Sequence, residues 1–392
     1  MKINKWPYFD NDQIKAAINV LKSGQVNSWT GQENKLFAEE FANWIGVKYA
    51  IPLANGSLAL SAAYLSISLK EGDEIITTPR TFIATASSAV LLKIKPIFAD
   101  LDPFSGAINH KTIEPLINNK TKAIVVVHLG GWPADMVNIC KLAKKYKLKI
   151  IEDCSQAHGA KIKIGDQFKS VGTFGDVATW SFCQDKIIST GGEGGMLTTN
   201  DKKIYEKSWS LKDHGKTLSA LEKSANKNGF KWIHENFGSN FRLTELQSAI
   251  GRAQLKKIDK WLSLRKRNAN ILIEKLSDLK VINIPKPPSN IIHSWYKFHC
   301  FIVLDELKNN WDREKIVNAI SKKGYPAFYG SCSEIYLEKC FTKSNYSHNQ
   351  RLPIAKNMSN TNLMFLVHPT ITKIQMNLYA NNIKEILLKA SK

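Results

Sequence analysis

Long apolar runs are missing from this 392-residue sequence, and nothing approaches the ~20 consecutive apolar residues of a membrane-spanning helix. The opening stretch, MKINKWPYFDNDQIKAAINVLKSG, lacks the apolar middle of a secretion signal. We therefore expect no membrane partner and a location in the cytoplasm. Hydrophobic residues still make up 43% of the chain, which is enough for well-filled cores.

Cysteine is sparse and unclustered. The six cysteines show no CxxC spacing and do not group with histidines, so we expect neither a metal site nor a disulfide framework. A GxGxxG turn after the first strand-like run is also missing, and its absence disfavours a nicotinamide dinucleotide site.

Acidic residues are few compared with basic ones, 34 against 55, and the net charge is +21. A basic nucleic-acid-binding protein is the function class that such a charge suggests. The lysines, however, are spread along the whole chain, and aromatic residues do not interleave with them as a base-stacking surface requires. We therefore expect no nucleic-acid partner.

Strand-like and helix-like segments alternate from about residue 10 to residue 255. Such alternation predicts an α/β domain whose mostly parallel sheet is covered by helices on both faces. Between the strands we predict helices over residues 113–120 and 136–147. The strand-like apolar runs are residues 74–79, 95–102, 122–131, 147–153 and 176–182.

The pattern changes beyond residue 255. Residues 242–276 have helical periodicity and predict one long connecting helix or a helix pair. A proline-rich stretch and a strand-like run at residues 293–305 follow, and then mixed helices and short strands. We therefore place a large domain at residues 1–255 and a smaller α+β domain at residues 256–392.

Lys186 lies just past the run at residues 176–182, and Asp153 ends the run at residues 147–153. Ligands bind beyond the carboxyl ends of parallel strands, so we expect these two side chains to share a site. A lysine amine forms a Schiff base with pyridoxal phosphate, and a carboxylate keeps the pyridine nitrogen protonated. The pair indicates a pyridoxal phosphate site with Lys186 and Asp153 as its catalytic residues.

Four further residues suit the same cofactor. Gly56 and Ser57 open a helix, where backbone N–H groups bind phosphate and glycine allows close approach. Phe82 follows a strand-like run, where its ring either lies flat on the cofactor or packs in the core. Gln156, three residues after Asp153, is placed to donate a hydrogen bond to the phenolic oxygen of the cofactor.

Asn240 and Arg242 precede a helix-like segment, a position that suits an anion. With these motifs in this order, the chain resembles the DegT/DnrJ/EryC1/StrS family of sugar-nucleotide aminotransferases. The resemblance implies the aspartate aminotransferase-like fold of type I pyridoxal phosphate enzymes. It rests on residues 23–42, 53–67, 128–136, 151–160, 181–196, 211–216, 238–251 and 330–341.

The resemblance assigns Lys186 to the Schiff-base position, Asp153 to the partner of the pyridine nitrogen, and Phe82 to the ring-stacking position. It also implies that Ser181 joins Gly56 and Ser57 as a phosphate ligand.

The resemblance further implies that Asn240 reaches the phosphate from the neighbouring subunit, so that a homodimer carries its active sites at the subunit interface. His214 and Arg242 match family positions near the site. Thr30 and Gly31 match positions that line the sugar pocket.

Because residue 186 is lysine and not the histidine of the dehydratase branch, the resemblance implies transamination. The expected reaction transfers an amino group from L-glutamate to a nucleotide-linked 4-keto-6-deoxyhexose. The product is an amino sugar nucleotide for surface polysaccharide such as O-antigen. The GEGG segment at residues 192–195 favours C4 over C3. The alternatives are a 3-keto-sugar aminotransferase and a non-catalytic regulatory protein that binds the cofactor or a sugar nucleotide.

Overall fold

The computed structural model describes residues 3–224 and 232–392. The helices are α1 (Asn11–Ser23), α2 (Glu33–Ile45), α3 (Gly56–Ser66), α4 (Ala84–Val90), α5 (His110–Ile113), α6 (Met136–Tyr146), α7 (Lys202–Lys212), α8 (Leu218–Ser224), α9 (Glu245–Leu255), α10 (Ile258–Leu276), α11 (Arg313–Lys322), α12 (Lys339–Thr342), α13 (Pro353–Thr361) and α14 (Lys373–Ala390). The strands are β1 (Tyr49–Leu53), β2 (Glu74–Thr77), β3 (Lys95–Phe98), β4 (Thr121–Val127), β5 (Lys149–Asp153), β6 (Lys161–Ile164), β7 (Gln167–Ser170), β8 (Val177–Ser181), β9 (Gly195–Thr199), β10 (Ile282–Asn283), β11 (Ile291–Ile292), β12 (Phe298–Ile302) and β13 (Asn362–Phe365).

Seven strands form the main sheet in the order β1-β9-β8-β5-β4-β2-β3. β9 runs antiparallel to its neighbours β1 and β8, and the other neighbouring pairs are parallel. The register aligns Val125 with Ile151 and Ile151 with Val177 across β4, β5 and β8. The predicted α/β fold with a mostly parallel mixed sheet is confirmed.

Successive residues of the central strands point into two different cores. Val125 and Ile151 belong to one hydrophobic cluster, whereas Val126 and Ile150 belong to another. Side chains alternate between the faces of a strand, so both faces of this sheet are buried. Helices α3 and α7 contribute to the first cluster, and α2 and α6 contribute to the second.

Two predicted helical segments turn out differently. Residues 113–120 do not form a helix: α5 ends at Ile113 and only a 3₁₀ turn, Glu114–Leu116, follows. Pro115 cannot donate a backbone hydrogen bond, and the chain leaves helical geometry at Ile117. The segment at 242–276 is a helix pair, α9 and α10, and the helix predicted at 136–147 is α6.

The C-terminal part has its own small sheet, in the order β10-β12-β13, and a core drawn from residues 269–390. Helices α10 and α14 pack together beside it. The division at residue 255 stays a prediction. Ile258 at the start of α10 packs in a core of the large sheet, and β11 pairs with β6. Among the described residues, no helix has both the length and the apolar character needed to cross a membrane.

A buried hydrogen bond connects His128, which follows β4, with Glu152 of β5. The Ala134 N–H donates to Nδ1 of His128 at 3.0 Å, so the Nε2–H of His128 donates to Oε2 of Glu152 at 3.1 Å. The backbone N–H groups of Gly172 and Gly175 also donate to Glu152. Burial raises the pKa of Glu152, but these hydrogen bonds outweigh it and the pKa is lowered.

The same pair belongs to a group of three potential metal ligands, His128, Glu152 and Cys154, whose ligand atoms lie within 4.8 Å of one another. Both nitrogens of His128 already take part in hydrogen bonds, and burial raises the pKa of the Cys154 thiol. Neither a free imidazole lone pair nor a thiolate is therefore offered to a metal.

We predict that Glu152→Ala strongly destabilises the fold, because it leaves His128 and several backbone N–H groups buried without an acceptor. Removing one partner from a buried pair costs ~3–5 kcal/mol. Thermal unfolding followed by circular dichroism measures the effect. Asp166→Ala, at an exposed turn between β6 and β7, is the control. Equal melting temperatures for the two variants would contradict the prediction.

Candidate active site

Two adjoining cavities open beyond the carboxyl ends of β5 and β8. The first has a volume of about 520 Å³ and is lined by the start of α3, Asp153 and Ser181. The second has a volume of about 670 Å³ and extends to residues of the C-terminal part of the chain such as Lys297. The residues that line both cavities are Thr81, Phe82, Gln156, Asp185 and Lys186.

Asp153 lies at the end of β5 on the face that α3 covers. The Oγ1 of Thr85 donates to its Oδ2 at 2.8 Å, and the Ser155 N–H donates to its Oδ1 at 3.1 Å. Thr81 and Thr85 are themselves joined through their hydroxyl oxygens at 2.9 Å. Burial and the neighbouring Asp153 raise the pKa of Tyr64, whose neutral hydroxyl donates to the Thr85 carbonyl. These contacts hold the carboxylate in one position while it lines the cavity.

The start of α3 offers the free backbone N–H groups that an anion-binding turn needs. The Asn55 side chain accepts a hydrogen bond from the Leu58 N–H at 2.9 Å, so Gly56 and Ser57 supply the first amides of the helix. A Cβ on Gly56 would lie 2.9 Å from the Cβ of Ser181. The glycine thus allows the helix start and the end of β8 to approach closely enough to surround a phosphate.

Phe82 is not part of a core: 67% of its surface is exposed, and its ring lines both cavities. Gln156 is buried and accepts the Gly130 N–H on Oε1 at 2.8 Å. Because Oε1 accepts this hydrogen bond, the amide nitrogen of Gln156 remains available as a donor. Both residues line the two cavities, and their roles as a stacked ring and as a donor to the phenolic oxygen stay predictions.

Lys186 is the amine of the site, and its side chain is only 14% exposed. Its Nζ lies 3.7 Å from Oδ1 of Asp185 and 5.1 Å from the ring centroid of Tyr296. The Tyr296 hydroxyl donates to Asp185. Burial raises the pKa of Asp185, but the charge of Lys186 and the hydrogen bond from Tyr296 outweigh this effect. The pKa is therefore lowered and the carboxylate is ionised. The indole N–H of Trp6 donates to the Lys186 carbonyl at 2.9 Å.

Three of the residues assigned by resemblance lie away from both cavities in their own chain. Arg242 donates to Oδ1 of Asp213 at 2.7 Å, and the backbone of Asp213 pairs with that of Asn240. His214 is exposed beside them and has a positive φ of 57°. Burial raises the pKa of Asp213, but Lys212 and Arg242 outweigh it and the pKa is lowered. Their roles at the cofactor stay predictions.

Thr30 and Gly31 also lie outside the two cavities. Gly31 lines a separate cavity of about 610 Å³ beside α1, α2 and α9. A Cβ at Gly31 would collide with the carboxylate of Glu245, which accepts the N–H groups of Glu33 and Asn34 at the start of α2. Within one chain, Gly31 therefore lets Glu245 approach the start of α2. The role of Thr30 and Gly31 in a sugar pocket stays a prediction.

Sequence reasoning missed several residues that shape the site. Thr81 and Thr85 have a signal, since two threonines four residues apart follow the end of β2. Asn55 has one too, because an asparagine before Gly56 is a common helix N-cap. Tyr296 has no local signal, because 111 residues separate it from Asp185.

Comparison with known proteins gives the same picture. The family model for the DegT/DnrJ/EryC1/StrS aminotransferase family matches residues 7–383. A GDP-perosamine synthase from Escherichia coli O157:H7 is 33% identical over 89% of this chain and 88% of its own length. A UDP-N-acetyl-3-dehydro-alpha-D-glucosamine 3-aminotransferase from Acidithiobacillus ferrooxidans is 31% identical over 91% and 89%. The crystal structure of an aminotransferase from Psychrobacter cryohalolentis superposes with a TM-score of 0.96, at 42% identity and 99% coverage of both chains.

A lysine, a carboxylate and a helix start meet at one end of a mostly parallel sheet, and together with the family match they identify a pyridoxal phosphate-dependent aminotransferase of fold type I. The chain belongs to the DegT/DnrJ/EryC1/StrS aminotransferase family. The residues present fit the cofactor. Gly56 leaves the space that a Cβ would fill, and Asp153 offers an anchored carboxylate to the pyridine nitrogen. When bound, pyridoxal phosphate withdraws electrons from the carbon that loses or gains a proton.

We predict that Gly56→Ala weakens pyridoxal phosphate binding about tenfold, since overpacking of this kind costs ~1–3 kcal/mol. The added Cβ pushes Ser181 and the helix start apart. The dissociation constant can be measured by adding the cofactor to apoprotein and following tryptophan fluorescence. Lys70→Ala, at the exposed turn after α3, is the control. An unchanged dissociation constant for Gly56→Ala would show that the close approach plays no part in phosphate binding.

Proposed function

We propose that the protein transfers the amino group of L-glutamate to a nucleotide-linked 4-keto-6-deoxyhexose. The product is an amino sugar nucleotide, and surface polysaccharide such as O-antigen is its destination. The observation that carries the proposal is the continuous space around Lys186: a cofactor-sized cavity adjoins a larger cavity that reaches the small domain. The larger space suits a substrate bigger than an amino acid. A cytoplasmic location stays a prediction from the sequence.

The residues of the chain divide the work of such a reaction. Lys186 Nζ lines both cavities, so it can take a proton from the α-carbon of the amino donor and later return one to the sugar carbon. Asp153, anchored by Thr85, holds a proton at the pyridine nitrogen. The amides of Gly56 and Ser57 fix the phosphate, and the exposed ring of Phe82 restricts the position of the cofactor ring.

Amination at C3 is the competing proposal. The A. ferrooxidans relative bears the name of a 3-aminotransferase and is almost as similar as the E. coli perosamine synthase, so relatives of both kinds are near. C4 is favoured through the GEGG segment at residues 192–195. A non-catalytic regulator is disfavoured because the lysine, the carboxylate and the phosphate turn are all in place around one cavity.

A substrate panel tests these alternatives. The holoenzyme is incubated with L-glutamate and UDP-, dTDP-, GDP- and CDP-linked 3-keto and 4-keto sugars, and 2-oxoglutarate release is followed with a coupled enzyme. Mass spectrometry and NMR then locate the new amine. We expect release with a 4-keto sugar and an amine at C4. Release only with 3-keto sugars would replace the proposal by C3 amination, and no release with any sugar would favour a regulator.

We predict that Lys186→Ala loses at least about a thousandfold in activity, because the amine serves both as cofactor attachment and as base. The variant also lacks the visible absorbance of lysine-bound cofactor. A spectrum of the purified protein and an assay with the best sugar check both effects. Lys163→Ala, on the exposed face of β6, is the matched control. Persistence of the visible band in Lys186→Ala would remove the assignment.

We also propose that the active unit is a homodimer in which Asn240 reaches the partner's phosphate site. In its own chain Asn240 is exposed and lines neither cavity. The nearby Phe237 is fully exposed in the single chain, so its ring is free to contact a second subunit. Both features support a segment that completes a site in a second copy of the chain.

A complementation experiment tests this arrangement. Lys186→Ala and Asn240→Ala subunits, each inactive or nearly so alone, are co-expressed with different tags. If Asn240 acts across the interface, each mixed dimer contains one intact site of two, so the purified mixed dimer has about half of the wild-type activity. If Asn240 acts within its own chain, every site carries at least one substitution and activity is not restored. Activity in the doubly purified mixed dimer distinguishes the two results.

A further inference from the structure

A second lysine, Lys297, lies in the wall of the larger cavity beside Lys186. Its side chain is only 16% exposed, and its Nζ lies 3.8 Å from Oδ2 of Asp185. Its backbone N–H donates to the Gly130 carbonyl, and Gly130 in turn holds Gln156. Lys297 is therefore fixed to the large-domain loop that positions a cofactor contact, although it belongs to the C-terminal part of the chain.

Positive charge exceeds negative charge around Lys297. Asp185 is shared by two amines, since Lys186 Nζ lies 3.7 Å from its other oxygen. The guanidinium of Arg265 is buried behind Tyr296, donates to the Tyr296 carbonyl at 3.2 Å, and adds a third cation. Glu338 is the other acid that lines this cavity, and its side chain is exposed at the edge. Two amines, Lys186 and Lys297, thus line the cavity beside one interior carboxylate, Asp185, and Arg265 adds a buried cation outside the cavity lining.

The contact between Lys297 and Asp185 is weak for an ion pair. At 3.8 Å the two atoms are beyond hydrogen-bonding distance, whereas Tyr296 donates directly to the same carboxylate. Burial lowers the pKa of Lys297 to about 8, although Asp185 raises it. An incoming anion that forms a short hydrogen bond would satisfy this buried amine better than Asp185 does.

The donor amino acid brings such an anion to this place. Its α-carbon must lie at Lys186 Nζ for proton transfer, and its α-carboxylate is bonded directly to that carbon. Lys186 and Lys297 contact the two oxygens of one carboxylate and face the ring of one tyrosine, Tyr296, at 5.1 and 4.8 Å. A carboxylate attached to a carbon beside Lys186 is therefore within reach of Lys297.

We propose that Lys297 binds the α-carboxylate of the amino donor and that Asp185, held by Tyr296, is the resting counter-ion that this carboxylate displaces. The inference rests on the proposed function, because it assumes an amino-acid donor. It makes Lys297 a binding residue of the first half-reaction and Asp185 a positioning residue for both amines.

Calorimetric titration of the holoenzyme with succinate, a dicarboxylate that cannot react, tests the site without turnover. Titrations are done at pH 6.5, below the pKa of about 8, so that Lys297 is charged. Lys297→Gln should weaken succinate binding at least about tenfold, as expected for a lost charge-assisted hydrogen bond. Lys297→Arg keeps the charge and should stay within about fivefold of the wild type. Unchanged affinity in Lys297→Gln would overturn the proposal.

Asp185→Asn gives an opposite and more specific result. Removing a competing carboxylate should tighten succinate binding about threefold, the scale of a weak ion pair. A merely structural pair would instead lose affinity in both Asp185→Asn and Lys297→Gln, and that outcome would overturn the proposal. Lys163→Gln, on the surface of β6, is the charge-matched control.

Two further measurements separate carboxylate binding from phosphate binding and from failure of the proposed function. Lys297→Gln should leave the dissociation constant of uridine diphosphate unchanged, and equal weakening of both ligands would assign Lys297 to the sugar nucleotide instead. In steady-state assays, Lys297→Gln should raise KM for L-glutamate but not for the sugar. Wild-type protein that binds succinate yet releases no 2-oxoglutarate would contradict the proposed function and leave the binding site standing.

Discussion

Alternation of side chains along β5, in a sheet buried on both faces, is the constraint on which the rest of the structure depends. It sends Glu152 to one side, where His128 and backbone amides neutralise it, and Asp153 to the other, where Thr85 anchors it in the cavity. Two neighbouring carboxylates thereby acquire different surroundings: Glu152 holds loops to the sheet, and Asp153 lines the cavity in which the proposed chemistry takes place. A shift of register by one residue would exchange them, so the packing of both cores protects the catalytic position.

The residues that line the first cavity could be predicted to lie together because strand ends and helix starts leave local signals in the sequence. Asp153 and Lys186 follow apolar runs, and Gly56 opens a helix after β1. The helix predicted at 113–120 is wrong because Pro115 does not continue the hydrogen bonding of α5 and the chain becomes extended at Ile117. Contacts such as Tyr296 with Asp185 depend on how distant segments pack, which one sequence without tertiary information does not specify.

Some site residues were predicted from the family resemblance and line neither cavity of the single chain. Asn240, Arg242 and His214 gather around Asp213 and not around the cofactor cavity. A residue that serves a neighbouring subunit leaves no trace in the cavity of its own chain. The residues proposed to bind the phosphate group therefore come from one chain, whereas the proposed role of Asn240 depends on a dimer.

Trp6 gives the site a support from an unexpected part of the chain. Its indole donates to the carbonyl of Lys186 and packs edge-on against Trp261 of α10, with the guanidinium of Arg265 5.3 Å from its ring. Trp6 thus connects the loop that carries Lys186 with α10, the helix that leads to the C-terminal part of the chain. The position of the Lys186 backbone therefore depends on a residue that lines neither cavity.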